Sequence, residues 1–372
     1  MRIRTMKRTA VMLCLLMVFS VFAIAQNTTS TITGVTSDSD DILPGAVVKV
    51  TEVESGVTYS AISNQKGQFR ITGLTPGGPY RLEVSYVGYK KSVIDIKRIS
   101  LGEVYSCDVN LTAGNELQEV IVKGQAAALR KTGSSENISS EDIDNKATID
   151  RSLQDILAMS PYYIGSGSFG GRDGGMNNYS VDGANFNANM GLDREKMPGA
   201  GTPFALEALE DIQIVNSAFD VKNSNFMGAS INAVTKKGTN TFRGSAYHFY
   251  KDENLRGNRV DGEELSSPRG DIKRTIYGLT LGGPIIKDKL FFFVSAELEN
   301  TPLQLHQWQA SKDGVEDDKN LISRVTESDM KQFASDLQSM YGWNPGSYND
   351  FTGDNKFFRL MTRIDWNISN NH

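Results

Sequence analysis

The sequence predicts a mainly β protein in three stages: a small antiparallel β-sandwich, an α+β segment, and the first strands of an antiparallel sheet amphipathic enough for a transmembrane barrel. Three observations predict it. Residues 29–111 hold short alternating runs, separated by turn signals, with no helical pattern. One short capped helix, around Ser152–Leu157, stands among strand-like runs further on. After Gly238 the strands lengthen to about ten residues, with apolar and polar faces divided.

The chain has 372 residues, enough for two to three domains. Hydrophobic content is 39% and mean hydropathy −0.33, which excludes a helical membrane protein. A net charge of −5 argues against a nucleic-acid partner. Residues 1–25 have the composition of a signal peptide. Arg2, Arg4, Lys7 and Arg8 form the charged start, Val11 to Ile24 the apolar middle, and Ala23-Ile24-Ala25 a small-residue cleavage site before Gln26. The competing reading is a membrane anchor, but the apolar run falls short of the ~20 residues a spanning helix needs. Cys14 follows Leu13, where a lipoprotein site would want a small residue. Cleavage leaves Cys107 as the one cysteine, so no intrachain disulfide is expected.

In the first stage the runs are Ala46–Val50, Val57–Ala61, Gln68–Ile71 and Arg81–Tyr86. Leu43-Pro44-Gly45, Asn64–Gly67 and Thr75–Gly78 supply the turns. Short strands at this spacing read as a sandwich. Asp38, Asp40 and Asp41 lack the mid-loop Gly and closing Glu of a calcium loop, so a solvated turn is expected. Next comes Glu116–Gly124, a β-branched run flanked by acids and ended by Gly. Such a segment can add as an edge strand to a partner's sheet; it reads equally as a linker strand or the first strand of the α+β segment. Gln125 to Lys146 is polar and Ser-rich and is expected to be a mobile connection.

Ser152 is an N-cap candidate with Asp155 three residues on, Leu153, Ile156 and Leu157 share one helical face, and Pro161 ends the segment. Gly165–Gly170 spells G-x-G-x-x-G, but a dinucleotide site needs a strand before it and a helix after it. A flexible glycine loop is the better reading. Tyr179–Val181 is a strand running into an Asp182-Gly183 turn, and Ala184–Pro203 is a long polar loop, either functional or a plain surface loop. In the last stage Leu290, Phe292, Val294, Ala296 and Leu298 share a face opposite Ser295, Glu297 and Glu299. Phe358, Leu360, Ile364, Trp366 and Ile368 alternate with Arg359, Arg363, Asp365 and Asn367. A barrel in lipid requires this alternation; a half-buried soluble sheet gives the same period. Gly282–Phe293 contains a short hairpin turn, and Asn300–Asn355 is expected to be a long polar loop.

The residues between Ala205 and Tyr250 carry a resemblance. Asp211–Val215, Gly228–Lys236 and Gly238–Gly244, in that order, resemble the end of the plug and first barrel strand of TonB-dependent outer-membrane receptors. Phe219-Asp220-Val221 and Asn225–Ala229 resemble the Oar-like branch, as does the turn in Gly282–Phe293. Many of these receptors have two glycines where Ala229-Ser230 stands. Leu43–Ala46, Gly67-Gln68-Phe69 and Val87-Gly88-Tyr89 resemble the carboxypeptidase-regulatory-like domain, which is not catalytic.

The resemblance implies residues 26–112 as that sandwich, 113–238 as a Ton-box-like segment and plug, and 239–372 as the start of a barrel. It implies TonB contact through Leu117, Glu119, Val120, Ile121 and Val122. It places candidate substrate-binding loops around Gly165, Phe169, Arg172, Asp173, Asn185, Asn187, Asp193 and Arg194. It implies an outer membrane of a Gram-negative bacterium, lipid around the barrel, a small-molecule, glycan or peptide substrate, and a substrate-binding surface lipoprotein as a further partner. No cofactor or metal is expected: His248, His306 and His372 have no second ligand at metal spacing, and no nucleophile elbow appears, so the chain is read as no enzyme. The alternative is a secreted or periplasmic β-rich interaction or adhesion module, which would stay soluble without detergent.

After Gly238, 372 − 238 = 134 residues remain, with four strands near 239–250, 272–281, 290–299 and 357–368. Plugged transporters close with about 22 strands and the smallest barrels with about 8, so the barrel portion is expected to be incomplete. For the signal peptide, mass spectrometry of the exported protein should find Gln26 at the N-terminus; a retained Met1 would contradict the reading.

Overall fold

The computed structural model describes residues 28–368 apart from 40, 115–119, 122–126, 129–132, 147, 149, 188–202, 219–225, 253–254, 256, 258, 265–272, 305–307, 319–320, 347 and 349–351. The expected signal peptide lies outside the described residues. Two compact units form: Met1–Gly244 with Thr280–Val294 and Met361–His372, and Ser245–Leu279 with Ser295–Leu360.

The N-terminal strands are β1 (Ser30–Ser37), β2 (Val47–Glu52), β3 (Thr58–Ile62), β4 (Gln68–Leu74), β5 (Tyr80–Ser85), β6 (Ser92–Ile96), β7 (Val104–Ser106), β8 (Val109–Asn110), β9 (Val120–Ile121) and β10 (Ala127–Ala128). One sheet runs β10-β7-β1-β4 with β8 also on β1; the other runs β3-β2-β5-β6-β9. The pairs β1–β4, β2–β3, β2–β5 and β5–β6 are antiparallel, as the turn spacing requires. Later segments add differently: β7 and β8 lie parallel to β1, and β9 parallel to β6. Period-2 alternation turns Ile32, Val48, Val50, Phe69, Ile71, Leu82 and Val84 into one core between the sheets. Each such burial contributes roughly 1.5–3 kcal/mol. Gly34 is required where it stands, because a Cβ there would collide with the Cys107 carbonyl oxygen. The Asp38 carboxylate accepts from the Asp41 N–H at 2.7 Å and from the Tyr89 hydroxyl at 2.5 Å, closing the acidic turn.

The second stage contains β11 (Gly133–Ser139), helices Ser140–Asn145 and Leu153–Leu157, β12 (Tyr163–Gly165), β13 (Ser168–Phe169), β14 (Asn178–Val181), β15 (Ala184–Asn185), β16 (Leu209–Ala218) and β17 (Ser230–Thr235). Its sheet runs β11-β16-β17-β14-β15. Two expectations are corrected here. The stretch read as a mobile connection supplies strand β11, seven residues paired along β16, and a helix with a Ser139/Asp142 capping box. Tertiary pairing overrides the low strand propensity of Ser and Asn. The glycine loop at 165–170 is a small hairpin, β12 against β13, with Phe169 in the core. The second helix forms where its cap predicts, with Ser152 and Asp155 bonding reciprocally and Leu153, Ile156 and Leu157 buried. Asp182 and Gly183, at φ 48 and 81, make the tight turn joining β14 to β15.

The third stage holds β18 (Arg243–Lys251), β19 (Arg259–Val260), β20 (Glu263–Glu264), β21 (Arg274–Ile286), β22 (Leu290–Gln304), β23 (Gln309–Ser311), β24 (Ile322–Thr326) and β25 (Thr352–Trp366). Strands β18-β21-β22-β25 form one sheet. The segment expected to be a long loop after residue 300 is shorter and partly regular. Strand β22 runs to Gln304, β23 and β24 pair in parallel, and Glu327–Tyr341 is a helix capped by Thr326 with Asp329 and ended by Gly342 at φ 65. That helix buries none of its residues, although Met330, Phe333, Leu337 and Met340 recur at helical spacing along one side.

Cys107 is free and buried, and burial raises its thiol pKa to about 11. Folding therefore favours the protonated thiol, and stability falls as pH rises from the usual thiol value of 9.0 toward about 11. Hydrogen exchange of the β1 amides across this range should show that loss, and Cys107→Ala should flatten it.

Candidate functional site

The strand pair β16–β17 organises the plug-like sheet. Its register sets Ile212 opposite Ala233 and Ile214 opposite Ile231, which places these side chains in one apolar cluster with Leu153, Ile156 and Phe169. A one-residue alternation puts Asp211, Gln213, Asn232 and Ser230 on the other face. Ser180 and Asn178, paired in parallel with Asn232 and Ser230, extend that polar row. All six are buried. Asn232 Oδ1 accepts from Ser180 Oγ at 2.7 Å and from Ser230 Oγ at 3.3 Å.

At one end of this face the sandwich reaches in. Arg98, just beyond β6, donates to the Glu210 carboxylate at 2.8 Å, the Glu210 carbonyl at 2.7 Å and the Asp211 carboxylate at 3.1 Å. Asn137 Nδ2 bridges Asp211 Oδ1 at 3.2 Å and the Leu101 carbonyl at 2.9 Å, and Gln213 Nε2 donates to the same carbonyl at 2.8 Å. Burial raises the pKa of the Glu210 and Asp211 carboxyls; Arg98 opposes that push on Glu210, and Asn137 together with Arg98 opposes it on Asp211. No local pattern announces these partners, because Arg98 and Asp211 are 113 residues apart in sequence.

Of the residues expected to meet TonB, the structure describes Val120 and Ile121, whose backbones pair in parallel with Ser92 and Val93; Leu117, Glu119 and Val122 lie outside the described residues. Among the candidate substrate loops, Gly165 begins the β12–β13 turn and Phe169 packs edge-on against Tyr163 in the core. The Arg172 N–H donates to the Phe169 carbonyl at 3.1 Å, and Asp173 caps the next turn by accepting from Gly175 at 2.7 Å. Asn185 and Asn187 both donate to Asn178 Oδ1, at 3.4 and 2.8 Å. Asp193 and Arg194 lie outside the described residues.

The long strands carry a second polar constellation. Arg359 on β25 donates to Glu297 at 2.9 Å and Glu299 at 2.6 Å on β22. Arg274 on β21 pairs with Glu299 at 2.8 Å, and the Tyr247 hydroxyl on β18 donates to Glu297 at 2.9 Å. One charged ladder thus crosses all four strands on the covered face. The opposite face exposes Tyr277, Leu279, Leu298, Phe358, Leu360 and Trp366. His248 stacks on Tyr277 with ring centroids 4.5 Å apart. Among the described residues no group of three or more His, Cys, Asp or Glu could hold a metal ion.

Over 399 aligned residues the sequence is 25% identical to the TonB-dependent transporter Oar of Myxococcus xanthus, covering 99% of this chain and 35% of that protein. The similarity to this TonB-dependent transporter runs along nearly the whole chain. Residues 31–112 match the carboxypeptidase regulatory-like domain, and residues 234–306 the outer membrane beta barrel domain. The chain spans about a third of the length of its curated relative. Among solved structures, the outer membrane transporter YddB of Escherichia coli aligns at 17% identity and TM-score 0.39, over 49% of this chain and 28% of its own. The siderophore receptor PirA of Acinetobacter baumannii aligns at 20% and 0.34, over 45% and 24%.

Arg98→Ala would leave the fully buried Asp211 carboxylate without its counter-charge, at a cost of about 3 kcal/mol. The Asp211 pKa would rise further. Folding would then favour the protonated acid, so the loss should shrink as pH falls from neutral toward the carboxylate range. Hydrogen exchange along β16, measured at two pH values, reads both effects.

Proposed function

We propose that this chain forms the N-terminal part of an outer-membrane receptor that takes up a substrate with energy delivered by TonB. The observation that carries the reading is the division of β22 and β25 into two faces. Phe358, Leu360, Ile364 and Trp366 are exposed while Arg359 and Glu297 are covered and paired. Hydrocarbon cannot solvate a charge, whereas it accommodates aromatic and aliphatic side chains, so this sheet suits lipid on one side and a polar interior on the other. The homology to a TonB-dependent transporter supports the same reading. On it, residues 26–112 are the regulatory-like sandwich, 113–238 the plug with its TonB-binding segment, and 239–372 the barrel's first strands, in the outer membrane of a Gram-negative bacterium.

Substrate would bind between the plug loops, including those around Arg172, Asp173, Asn185 and Asn187, and the loops of the barrel. TonB would pair with the backbone of Leu117–Val122 and pull, and the plug would rearrange to open a path. Strand addition needs an extended segment with free backbone donors. Val120–Ile121 is extended and ends the sheet β3-β2-β5-β6-β9, so TonB would add along its outer edge, opposite β6. Glycan, peptide and small-molecule substrates all remain compatible with the polar loops, and a surface lipoprotein could deliver any of them.

The test is capture of the full chain in detergent by the periplasmic C-terminal domain of TonB. Val120→Pro or Ile121→Pro removes a backbone donor and blocks pairing, so capture should fall at least tenfold while the sandwich keeps its fold. Undiminished capture would place the TonB-binding segment elsewhere.

A further inference from the structure

The turn between β2 and β3 makes contacts that the transport reading does not use. Glu52 ends β2 and is 2% exposed. Its carboxylate accepts from Ser55 Oγ at 2.6 Å and from Lys237 Nζ at 2.5 Å. Lys237 Nζ also donates to Thr75 Oγ1 at 2.6 Å, and the Tyr80 hydroxyl closes the pocket on the Thr75 carbonyl at 2.5 Å. Lys237 belongs to the short link between β17 and β18. The same link is held twice more. The Asn240 N–H donates to the Glu54 carbonyl at 2.9 Å, and Arg243 Nη1 donates to both Glu54 carboxylate oxygens at 2.8 and 2.9 Å. Asn240 in turn exchanges two hydrogen bonds with Asp288, at 2.7 and 2.8 Å, in the turn between β21 and β22.

These contacts join three parts of the chain at one place. The sandwich grips β16 through Arg98 and grips the plug-to-barrel link through Glu52 and Glu54. The link is bonded to the first strand hairpin through Asn240 and Asp288. A charged lysine seated on a buried glutamate is costly to separate, since either ion left alone keeps its desolvation penalty. We propose that the N-terminal sandwich is a latch that fastens the plug to the first barrel hairpin, so that the plug can leave its place only after the sandwich lets go.

The test uses the full chain with a protease site in place of residues 129–132, between the sandwich and β11. After cleavage the sandwich is tethered by non-covalent contacts alone. It should stay with the rest of the chain on size exclusion in detergent. The double variant Arg98→Ala with Glu54→Arg should raise the released fraction at least tenfold, and adding Arg243→Glu should recover retention in part by restoring an opposite-charge pair. Prompt release from the unsubstituted cut protein, or equal retention by the double variant, would overturn the latch. The readout does not involve TonB, so its outcome is separate from that of the transport proposal.

Discussion

The charge on Asp211 sets the terms for the N-terminal half of this protein. It lies fully buried on the central strand pair of the plug-like sheet, where an ionised carboxylate survives only with partners. Arg98 and Asn137 provide them. Arg98 comes from the sandwich, so satisfying Asp211 also fixes which edge of the sandwich meets the sheet. The Leu101 carbonyl, accepting from Asn137 and Gln213, extends the same seam through uncharged bonds. The polar face of β16 and β17 is therefore an interface as well as a sheet surface.

A different constraint shapes the long strands. Their charged residues are gathered on the covered face and cross-linked strand to strand, from Tyr247 through Glu297 and Glu299 to Arg359 and Arg274. Each strand contributes to the ladder, so its residues tie the four strands side by side. The exposed face keeps aromatic and aliphatic side chains of a size that lipid solvates well and water does not. The two faces demand opposite surroundings, a polar one for the paired charges and an apolar one for the aromatic and aliphatic side chains.

Two elements escaped the sequence analysis, one against its local propensity and one despite its local signals. Residues 133–146 look polar and unstructured because Ser, Asn and Glu have little strand propensity. What makes β11 a strand is the available edge of β16, distant in sequence but matched to it along its whole length. The Ser139/Asp142 capping box was the one legible signal there, of the same kind that placed the helix at Leu153. The helix Glu327–Tyr341 lies in a stretch that is polar overall, yet its Thr326 cap, its Gly342 stop and the helical spacing of Met330, Phe333, Leu337 and Met340 were the signals to read.

The sequence by itself determined the sandwich strands, the capped helix at Leu153, the Asp182-Gly183 turn and the two-faced strands near the C-terminus. All of these arise from side-chain period, caps and turn residues, which act over a few positions. The family resemblance was equally legible, because it rests on ordered runs such as Gly228–Lys236. Only the tertiary structure decided the partners of Arg98, Glu52, Glu54, Lys237 and Arg243. A lone charge on a strand looks like a solvated residue until the fold brings its counter-ion across 112 to 189 positions of chain. It also decided that Phe169, placed by sequence in a candidate binding loop, belongs to the core: an aromatic beside glycines can face either way, and the cluster around Tyr163 and Ile231 leaves it one apolar side to fill.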